Sequence, residues 1–589
     1  MRTRLALAVA GAVAAVAAPA AAQAAPPLPF GHACVPQNGV LFCPTANDAQ
    51  RVQSFDGVPL DVDVTLPPTG NGPFPTIVIL HGFGASKTSY EAVTAEGQQL
   101  NGTIKKTAFH NNNVFYAKRG YAVVNYSARG FGRSCGVRSS RNVPGCAKGW
   151  LHLGDQRFEI RDTQHLLGML VDEGVAKASA LGVTGESYGA GQTLELARLR
   201  NRVELPNGKG VPWRSPKGTK LAIKAAWARW PWTDLAQSLT PNGRFGLLPA
   251  GVKKQSYVDG LFLLANVTGF VAPPGADSSA DLAAWKVVLD KGEPYGAAAR
   301  AVAKELERFH SAVGLPAHSA PVLTQSGWRD ELFPVTESLR SYDALRHVKG
   351  SRVAMQIGDV GHSAGTNNLD VNRAFNDQAA RWFDALLKHT RKALPNGRIT
   401  AFQTVCPKTS AVAGFYRGQS MRKIAPGVAK LGGTKTQVVT SGGGNLATAL
   451  AFDQRSNGDA CKTVPSERAP GTGVYTRLVR RGYTMLGLPV ARADVREIGR
   501  DGFISARLWD VFDGQQRLVS RGVYRLTPNQ HGRIAIKLFG NGYRFAKGHH
   551  EKLELVGRDP NYLRTDNESY KVRVSNLVLH IPTTKLHAR

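Results

Sequence analysis

Several features that mark other protein classes are missing from this 589-residue chain. No two of its six cysteines form a Cys-x-x-Cys pair, so the sequence predicts no zinc site, and no cofactor is expected. No apolar run of membrane-spanning length follows the N-terminal segment, so a mature protein without a transmembrane helix is expected. Internal repeats and nucleic-acid-binding modules are also missing. With 42% hydrophobic and 20% charged residues, the chain has the composition of a globular protein of two or three domains.

Acidic residues are scarce relative to basic ones. Lys and Arg number 74 against 43 Asp and Glu, which gives a formal net charge of +31 at pH 7. Such a field attracts anionic partners, and an anionic cell-wall or surface polymer is the partner that the charge favours. The alternative is an Arg-rich surface without a specific partner, and no nucleic-acid partner is expected.

The N-terminus is typical of an export signal. Arg2 and Arg4 precede an apolar run over residues 5–22, and AQA at residues 22–24 supplies the small residues of a cleavage site. This pattern predicts a signal peptide over residues 1–24 and a secreted, extracellular protein. A membrane anchor is the alternative, which the alanine content and the cleavage site disfavour.

An even number of cysteines in an exported chain indicates disulfide bonds. Spacing along the chain favours three local pairings, the first of which would fix a Pro-rich N-terminal arm over residues 25–50. The favoured pairs are Cys34–Cys43, Cys135–Cys146 and Cys406–Cys461.

Residues 51–395 alternate between short apolar runs and helical patterns. Strands that alternate with helices indicate a parallel sheet in an α/β fold. From about residue 240 to 315 the strand signal stops and helical spacing takes over, as at 281–289 and 297–310, which predicts a helical cap inserted between strands. The other predicted elements are strands at 76–80, 121–126, 181–185, 221–228, 320–324 and 353–357, and helices at 155–173, 190–200 and 374–388.

After about residue 395 apolar and polar residues alternate instead. Ile534, Ile536 and Leu538 show this period of two, as do Val572 and Val574. The alternation, with turn residues between the runs, predicts an all-β sandwich. It would occupy residues 396–589, with further strands at 503–511, 517–526, 552–556 and 576–581.

Two segments match Gly-x-Ser-x-Gly, the pattern of a nucleophilic serine on a tight turn. GESYG at residues 185–189 follows a predicted strand and precedes a predicted helix, which is the context that this turn requires. GRSCG at residues 132–136 lies in a glycine-rich loop, contains Cys135 and has no helix after it. Ser187 is therefore the predicted nucleophile, and Ser134 is predicted to be a loop residue.

A serine nucleophile needs a histidine base, and the histidine needs a carboxylate that orients it. In α/β-hydrolases the acid follows the serine, and the histidine follows the acid. Asp330 lies past the strand at 320–324, and His362 lies among glycines after the strand at 353–357. Both are predicted to join Ser187. The alternative acids are Glu331 and Asp359, whereas His318 and His347 lack a glycine loop after a strand and His81 precedes the serine.

Acyl transfer also needs N–H donors aimed at the developing oxyanion. One predicted donor is the backbone N–H of Tyr188, the residue after the nucleophile. The other is the backbone N–H of Phe83, in the loop after the strand at 76–80. Glycines flank Phe83 and free the backbone to turn its N–H groups inward, and His81 is expected to shape this loop.

Several segments resemble those of one group of serine hydrolases, the Xaa-Pro dipeptidyl-peptidase and cocaine-esterase superfamily. The resemblance spans residues 50–585, with fairly specific motifs in the catalytic part and looser ones in the all-β tail. Besides the serine turn, the segments are PWTDLAQSLTPNGR (231–244), GWRDELFP (327–334), RWFD (381–384), ARLWDV (506–511), SRGVYRL (520–526) and LVLHIP (577–582).

The resemblance implies an α/β-hydrolase core, a helical cap and a C-terminal jelly-roll. It implies the same triad of Ser187, Asp330 and His362, and a pocket where cap and jelly-roll meet the core. Trp232 and Trp328 are candidate pocket walls, with buried packing as the alternative role. Several members of the superfamily use a tyrosine hydroxyl as one oxyanion donor. The corresponding loop here reads HGFG, which implies a hole built from backbone N–H groups alone.

Three functions remain as hypotheses. The resemblance implies a secreted serine hydrolase with Xaa-Pro dipeptidyl-peptidase-like specificity, which would hold the substrate's amino terminus with carboxylates; Asp259 in the cap is one candidate. A carboxylesterase for small acyl esters, polyesters or lipids would use the same triad without such carboxylates. The third is a binding protein for anionic surfaces with an inactive triad. A carboxylate pair that faces Ser187 would separate the first hypothesis from the second.

Overall fold

The structure, a computed structural model, describes residues 28–244, 251–313, 318–362, 365, 367–412, 414–453, 455 and 459–585. The predicted signal peptide lies outside these residues, as do two stretches of the predicted cap, 245–250 and 314–317. Within the described ranges, no helix is long and apolar enough to cross a membrane.

An 11-stranded sheet forms the centre of the N-terminal part. The strands are β1 (Val35–Gln37), β2 (Val40–Cys43), β3 (Val52–Gln53), β4 (Pro59–Leu60), β5 (Val62–Leu66), β6 (Phe74–Leu80), β7 (Ala122–Tyr126), β8 (Ala176–Glu186), β9 (Arg202–Glu204), β10 (Gly210–Pro212), β11 (Ile223–Arg229), β12 (Val322–Gly327), β13 (Val353–Gly358), β14 (Arg398–Phe402) and β15 (Phe415–Gly418). The sheet order is β1-β2-β5-β7-β6-β8-β11-β12-β13-β14-β15, and β3 with β4 and β9 with β10 form separate pairs. Pairing is parallel from β7 to β14 in this order and antiparallel at both edges.

Helices cover this sheet, which explains why its central strands read as continuous apolar runs. β7, β12 and β13 are buried at every residue, as expected where both faces of a parallel sheet are packed. The helices are α1 (Asn113–Lys118), α2 (Glu159–Asp172), α3 (Tyr188–Leu199), α4 (Leu235–Leu239), α5 (Gln255–Thr268), α6 (Leu282–Asp290), α7 (Ala297–Phe309), α8 (Val335–Arg346) and α9 (Leu369–Phe383), which continues into a π-helical turn over Asp384–Lys388.

The predicted cap is formed by helices that the chain inserts between β11 and β12. In α7 the buried residues are Ala299, Val302, Ala303 and Leu306, which are spaced three and four apart and therefore lie on one side of the helix. The same spacing marks α7 as amphipathic in the sequence. The cap therefore packs an apolar surface against the carboxyl edge of the sheet, where the strands β8, β12 and β13 end.

The C-terminal part is an all-β sandwich. Its elements are α10 (Met421–Ile424), β16 (Gly427–Gly433), β17 (Gln437–Thr440), α11 (Leu446–Ala451), β18 (Thr463–Pro465), β19 (Gly473–Leu478), β20 (Tyr483–Gly487), β21 (Val490–Ile498), β22 (Phe503–Phe512), β23 (Gln515–Arg525), β24 (His531–Lys537), β25 (Asn541–Phe545), β26 (His550–Val556) and β27 (Lys571–Thr583). One sheet has the order β24-β21-β27-β20-β25, with β16 and β17 also on β27, and the other has the order β18-β23-β22-β26-β19.

Alternation along the strands explains this sandwich. In β27, Val572 and Val574 are buried while Lys571 and Arg573 are exposed, and apolar residues from both sheets share one core. The predicted fold class, an α/β-hydrolase core with a helical cap followed by a jelly-roll sandwich, is confirmed.

The predicted boundary of the sandwich at residue 396 is wrong. β14 and β15 belong to the α/β sheet, which therefore extends to Gly418. The predicted N-terminal arm is likewise part of this sheet, because β1 and β2 form its other edge.

The three predicted disulfide bonds are present in the structure. Cys34 is bonded to Cys43 and thereby joins β2 to the segment before β1. Cys135 is bonded to Cys146 in the loop that contains Ser134. Cys406–Cys461 links the loop between β14 and β15 to the sandwich. Each half of the molecule therefore contributes one cysteine to the third bond.

Candidate active site

Ser187 lies between β8 and α3, on the tight turn that the sequence predicts. Its φ of 55° and ψ of −113° are strained for a residue with a side chain. A Cβ on Gly185 would come within 2.5 Å of the Gly189 backbone, and one on Gly189 within 2.4 Å of the Leu80 carbonyl oxygen. Both glycines are therefore needed for strand and helix to approach closely enough to form the turn.

The structure brings Asp330 and His362 together at Ser187. Asp330 is in the loop after β12, and His362 is in the loop after β13. Both strands run parallel to β8, which precedes Ser187, so the three loops leave the sheet at the same edge. His362 Nε2 lies 2.7 Å from Ser187 Oγ, and His362 Nδ1 lies 2.6 Å from Asp330 Oδ2. In this geometry the imidazole can accept the serine proton while the carboxylate stabilises the imidazolium that forms.

The Asp330 carboxylate is buried and held by four donors. The backbone N–H groups of Leu332 and Phe333 donate to Oδ1 at 3.1 and 2.9 Å. The backbone N–H of His362 donates to Oδ2 at 3.2 Å, in addition to the ring contact. Gly361 has a φ of 110°, and a Cβ there would lie 2.9 Å from Oδ2, so glycine lets the histidine loop approach the acid.

Phe83 and Tyr188, the two predicted oxyanion donors, are neighbours. Their rings lie 5.5 Å apart, and both residues border the space in front of Ser187. Tyr188 is the first residue of α3, so its N–H has no partner within the helix and carries part of the helix dipole. Neither backbone N–H has a hydrogen-bond acceptor within the described residues, and both therefore remain available to an incoming oxygen.

An apolar pocket opens at Ser187 and extends under the cap. Phe83, Tyr188 and Trp232 border it on the side of the core. Among the described residues that line it, none carries a carboxylate, and Lys286 is the one charged residue. The cap contributes mostly aliphatic and aromatic side chains, among them Leu261, Phe262, Ala265, Trp285, Leu289 and Val302.

Comparison with known proteins agrees with this arrangement. Residues 56–203 match the family model described as X-Pro dipeptidyl-peptidase (S15 family). The chain is similar to a CocE/NonD family hydrolase from Staphylococcus aureus, with 13% identity, a TM-score of 0.59, and 93% of this chain and 94% of that chain covered. It is similar to an alpha-amino acid ester hydrolase, with 15% identity, a TM-score of 0.60, and 94% and 98% covered. The family match over residues 56–203 and these fold neighbours confirm the predicted resemblance to the Xaa-Pro dipeptidyl-peptidase and cocaine-esterase superfamily.

This hydrolase is also similar to an aminopeptidase from the marine sediment archaeon Thaumarchaeota archaeon, with 14% identity, a TM-score of 0.53, and 94% and 98% covered. No curated protein sequence matches the chain. At identities this low the likeness to solved structures defines the fold, and the S15 family match over residues 56–203 supports a hydrolase, either a peptidase or an esterase.

The alternative nucleophile and acids of the hydrolase have other partners. Ser134 Oγ donates to the Ser127 carbonyl at 2.6 Å and accepts from the Asp61 N–H at 2.8 Å, so it joins two loops. Glu331 forms a buried ion pair with Arg521. Of the remaining candidates, Asp359 accepts from the Val405 N–H at 3.5 Å, and His318 and His347 are exposed.

Two predicted pocket residues lie elsewhere in the hydrolase. Trp328 is buried outside the pocket, and its Nε1 donates to the Phe402 carbonyl at 2.6 Å, so its role is packing. Asp259 does not line the pocket and lies 3.0 Å from Lys253 and 3.2 Å from Lys286. Its charge is therefore neutralised within the cap. Trp232 does lie in the pocket wall, where its Nε1 donates to the His310 carbonyl at 2.7 Å.

The parts of the molecule that form the pocket also differ from the prediction, which placed the pocket where cap and jelly-roll meet the core. Every described lining residue belongs to the core or the cap, and the jelly-roll contributes none. The cap residues Leu261, Phe262 and Trp285 were missed by sequence reasoning. A signal for them is present in α5, whose sequence FLLA (262–265) is apolar: Phe262 and Ala265 line the pocket, whereas Leu263 is exposed.

His81 supports the oxyanion loop as a neutral ring. The Ala128 N–H donates to Nε2 at 2.9 Å, and Nδ1 donates to the Gly82 carbonyl at 2.8 Å. Burial, which disfavours the charged ring, lowers the pKa of His81 to about 4. The loop next to Phe83 therefore keeps one hydrogen-bonding state over the neutral pH range.

This low pKa predicts a pH-dependent contribution to stability. Between pH 6.5 and 4 the unfolded chain binds a proton at His81 that the folded chain does not, so the free energy of unfolding falls as the pH is lowered. From pH 6.5 to 4.5 this loss amounts to about 2 kcal/mol. His81→Gln is expected to remove that part of the pH dependence, as measured by urea unfolding at several pH values. His531→Gln, at an exposed histidine, is the control, and equal slopes for wild type and His81→Gln would contradict the assignment.

Proposed function

We propose that the hydrolase is an esterase that cleaves apolar acyl esters through an acyl-enzyme on Ser187. The observation that carries this proposal is the apolar pocket at Ser187, which no carboxylate lines within the described residues. An acyl chain in this pocket would gain about 0.8 kcal/mol for each buried methylene group. A free amino terminus placed there would lose its hydration without gaining an acidic partner.

The residues around Ser187 would perform the reaction in two halves. His362 takes the proton from Ser187 Oγ as the oxygen attacks the ester carbonyl carbon, and the backbone N–H groups of Phe83 and Tyr188 stabilise the oxyanion. His362 then donates this proton to the leaving alcohol, and the C–O bond to it breaks. In the second half a water molecule gives a proton to His362 and attacks the acyl carbon; the bond from this carbon to Ser187 Oγ then breaks, His362 returns the proton to Oγ, and the acid is released. Asp330 remains ionised and stabilises the imidazolium in both halves.

Dipeptidyl-peptidase activity is the second candidate, and the match to the X-Pro dipeptidyl-peptidase model over residues 56–203 favours it. The carboxylate next to the nucleophile is Glu186. Burial by itself would raise the pKa of Glu186, but Lys105 at 3.4 Å and Arg229 at 3.9 Å outweigh this effect and lower the pKa to about 2. Since two cations already neutralise this carboxylate, it is a poor anchor for a substrate's ammonium group.

A direct comparison of substrates tests the two candidates. The wild-type protein is given p-nitrophenyl acetate, butyrate and octanoate and, in parallel, Ala-Pro-p-nitroanilide, with Ser187→Ala as the blank. We expect turnover of the esters, with kcat/KM rising from acetate to the longer chains, and little turnover of the anilide. Anilide hydrolysis comparable to ester hydrolysis would support the peptidase instead, and loss of neither activity in Ser187→Ala would refute the choice of nucleophile.

The cap helix α5 offers a way to test where the acyl chain lies. Ala265 is buried and lines the pocket, whereas Val267, two residues later, is exposed. Ala265→Phe is expected to fill the pocket and lower kcat/KM for the octanoate ester by about tenfold or more, with a smaller effect on the acetate ester. Val267→Phe adds an aromatic ring outside the pocket and is the matched control. An equal effect on both chain lengths would place the acyl chain elsewhere.

We also propose that the enzyme is secreted and acts at an anionic surface or on substrates held there. The three disulfide bonds support an oxidising location, and the net charge of +31 supports attraction to a cell-wall or surface polymer. Protein recovered from the culture medium of the source organism is expected to begin after residue 24. Its retention on an anionic polymer is expected to fall as the salt concentration rises.

A further inference from the structure

The loop that carries Asp330 is bound to the jelly-roll through the residues on either side of the acid. Trp328 packs against β25, where a Cβ on Gly542 would lie 2.8 Å from the indole nitrogen. The Arg329 guanidinium donates to the Leu518 carbonyl of β23. Glu331 is ion-paired with Arg521 of the same strand. Asp330 alone among these four residues faces His362. The other three contact the jelly-roll and thereby fix the loop on the side away from His362.

Arg521 is itself fixed within the sandwich. Its guanidinium stacks 3.6 Å from the centre of the Tyr562 ring and lies 3.7 Å from Asp559. It also donates to the Phe452 carbonyl at 3.0 Å. Arg521 and Glu331 are 1% and 3% exposed, so water does not compete for their ion pair. Because this buried pair has so many partners, the position of β23 determines the position of the loop that carries Asp330.

The cap holds the same loop from the opposite side. Lys254, immediately before α5, is buried and donates through Nζ to the carbonyl oxygens of Glu331 at 2.6 Å and Leu332 at 2.9 Å. The two residues that accept these hydrogen bonds, Glu331 and Leu332, directly follow Asp330 in the chain. Side-chain contacts to the jelly-roll and main-chain contacts to the cap therefore confine the loop, although the loop belongs to neither part.

We infer that Arg521 is a positioning residue for Asp330, and that the jelly-roll acts as the rigid support of the acid loop in addition to any binding role. This inference rests on the proposed role of the Ser187–His362–Asp330 triad. Removal of Arg521 takes away the nearer cation of the buried Glu331 carboxylate and leaves Arg329, 3.6 Å away, so the loop is expected to move. A displacement of about 1 Å at a catalytic group lowers the rate by up to about 100-fold.

The experiment compares three variants of the full chain. Arg521→Met removes the ion pair, and Arg521→Lys retains a cation. The matched control is Arg477→Met, because Arg477 forms a two-bonded ion pair with Glu551 at 2.9 and 2.8 Å within the sandwich, away from the acid loop. The reactive fraction of each protein is counted with a fluorophosphonate that labels Ser187, and kcat and KM for p-nitrophenyl butyrate are expressed per labelled site.

We expect Arg521→Met to lower kcat per labelled site by about 10- to 100-fold with KM within about threefold of wild type. Arg521→Lys should recover most of the loss, and Arg477→Met should match wild type. A general folding defect would lower the labelled fraction instead and leave kcat per site unchanged. Wild-type kcat per site in folded Arg521→Met would overturn the inference, as would an equal loss in Arg477→Met.

A second variant covers the case in which Arg521→Met does not fold. The double variant Glu331→Gln with Arg521→Met removes both charges of the Glu331–Arg521 pair together, and it is expected to fold with the same loss of kcat per site. Wild-type kcat in this double variant would overturn the inference. The labelling rate of Ser187 reads out the triad whatever the natural ester is. If wild type is labelled but cleaves no ester, the proposed substrate fails while the comparison of labelling rates still tests Arg521.

Discussion

Ser187→Ala is expected to lower kcat/KM for p-nitrophenyl butyrate by about 10⁵- to 10⁶-fold. The serine oxygen lies 2.7 Å from His362 Nε2, and this is the one hydroxyl contact of that nitrogen among the described residues. Alanine has a smaller side chain than serine and adds no contact at this strained backbone position, so the variant should fold as the wild type does. Initial rates at high enzyme concentration, with a circular dichroism spectrum of each protein, provide the measurement.

The second Gly-x-Ser-x-Gly match supplies the control within the same chain. Ser134→Ala removes hydrogen bonds to the Ser127 carbonyl and the Asp61 N–H, and is expected to lower stability by about 1–3 kcal/mol while kcat per labelled site stays within about threefold of wild type. Loss of catalysis in Ser134→Ala with retention in Ser187→Ala would reverse the assignment of the nucleophile.

Asp330→Asn is expected to lower kcat by about 10⁴-fold. The amide would keep an oxygen for the N–H groups of Leu332 and Phe333, and its NH₂ group would then face His362 Nδ1. Because that NH₂ donates, it selects the imidazole tautomer that carries its proton on Nε2. This tautomer cannot accept the proton of Ser187.

Asp359→Asn is the matched control for this substitution. Asp359 is a buried aspartate directly after β13, and its carboxylate accepts from the Val405 N–H at 3.5 Å. We expect kcat within about fivefold of wild type, since no step of the proposed reaction uses this side chain. The test is kcat per labelled site for both variants. A larger loss in Asp359→Asn than in Asp330→Asn would identify Asp359 as the acid.

The triad geometry was accessible from the sequence because each member follows a recognisable strand. β12 and β13 are short buried strands, β8 ends in the buried segment LGVTG at 181–185, and parallel strands present their carboxyl ends at one edge of the sheet. Ser187, Asp330 and His362 were therefore expected to meet although they are far apart in the chain. The disulfides were accessible for a different reason, since neighbours in sequence are the ones that loop closure favours.

The boundary of the sandwich was not accessible in the same way. β14 and β15 have the length and composition of strands that fit either a parallel sheet or a sandwich, and the change from helical to strand patterns comes before them. Only pairing of β14 with β13 assigns them to the core. The residues of a strand indicate that it will pair with another strand, but the rest of the chain determines which strand that is.

The same limit applies to side chains whose role depends on direction. Asp259 was a reasonable anchor for a substrate amine from its place in the cap, yet Lys253 and Lys286 are its partners. Trp328 was a reasonable pocket wall from its place next to Asp330, yet it turns toward Phe402 and Gly542. In each case the neighbours across space decide the role, and these neighbours are distant in the sequence.

Taken alone, the sequence determined the class of fold, the three disulfide pairs and the residues that meet at the sheet edge, because these follow from local patterns and from the rule that parallel strands end together. The tertiary structure decided what the site can hold. The apolar lining comes from α5, α6 and α7, and the clamp on the Asp330 loop comes from Lys254 and Arg521. The pocket lining and the contacts to the Asp330 loop both join segments that are separated by tens to hundreds of residues. Such contacts exist only once the core, cap and jelly-roll have packed together.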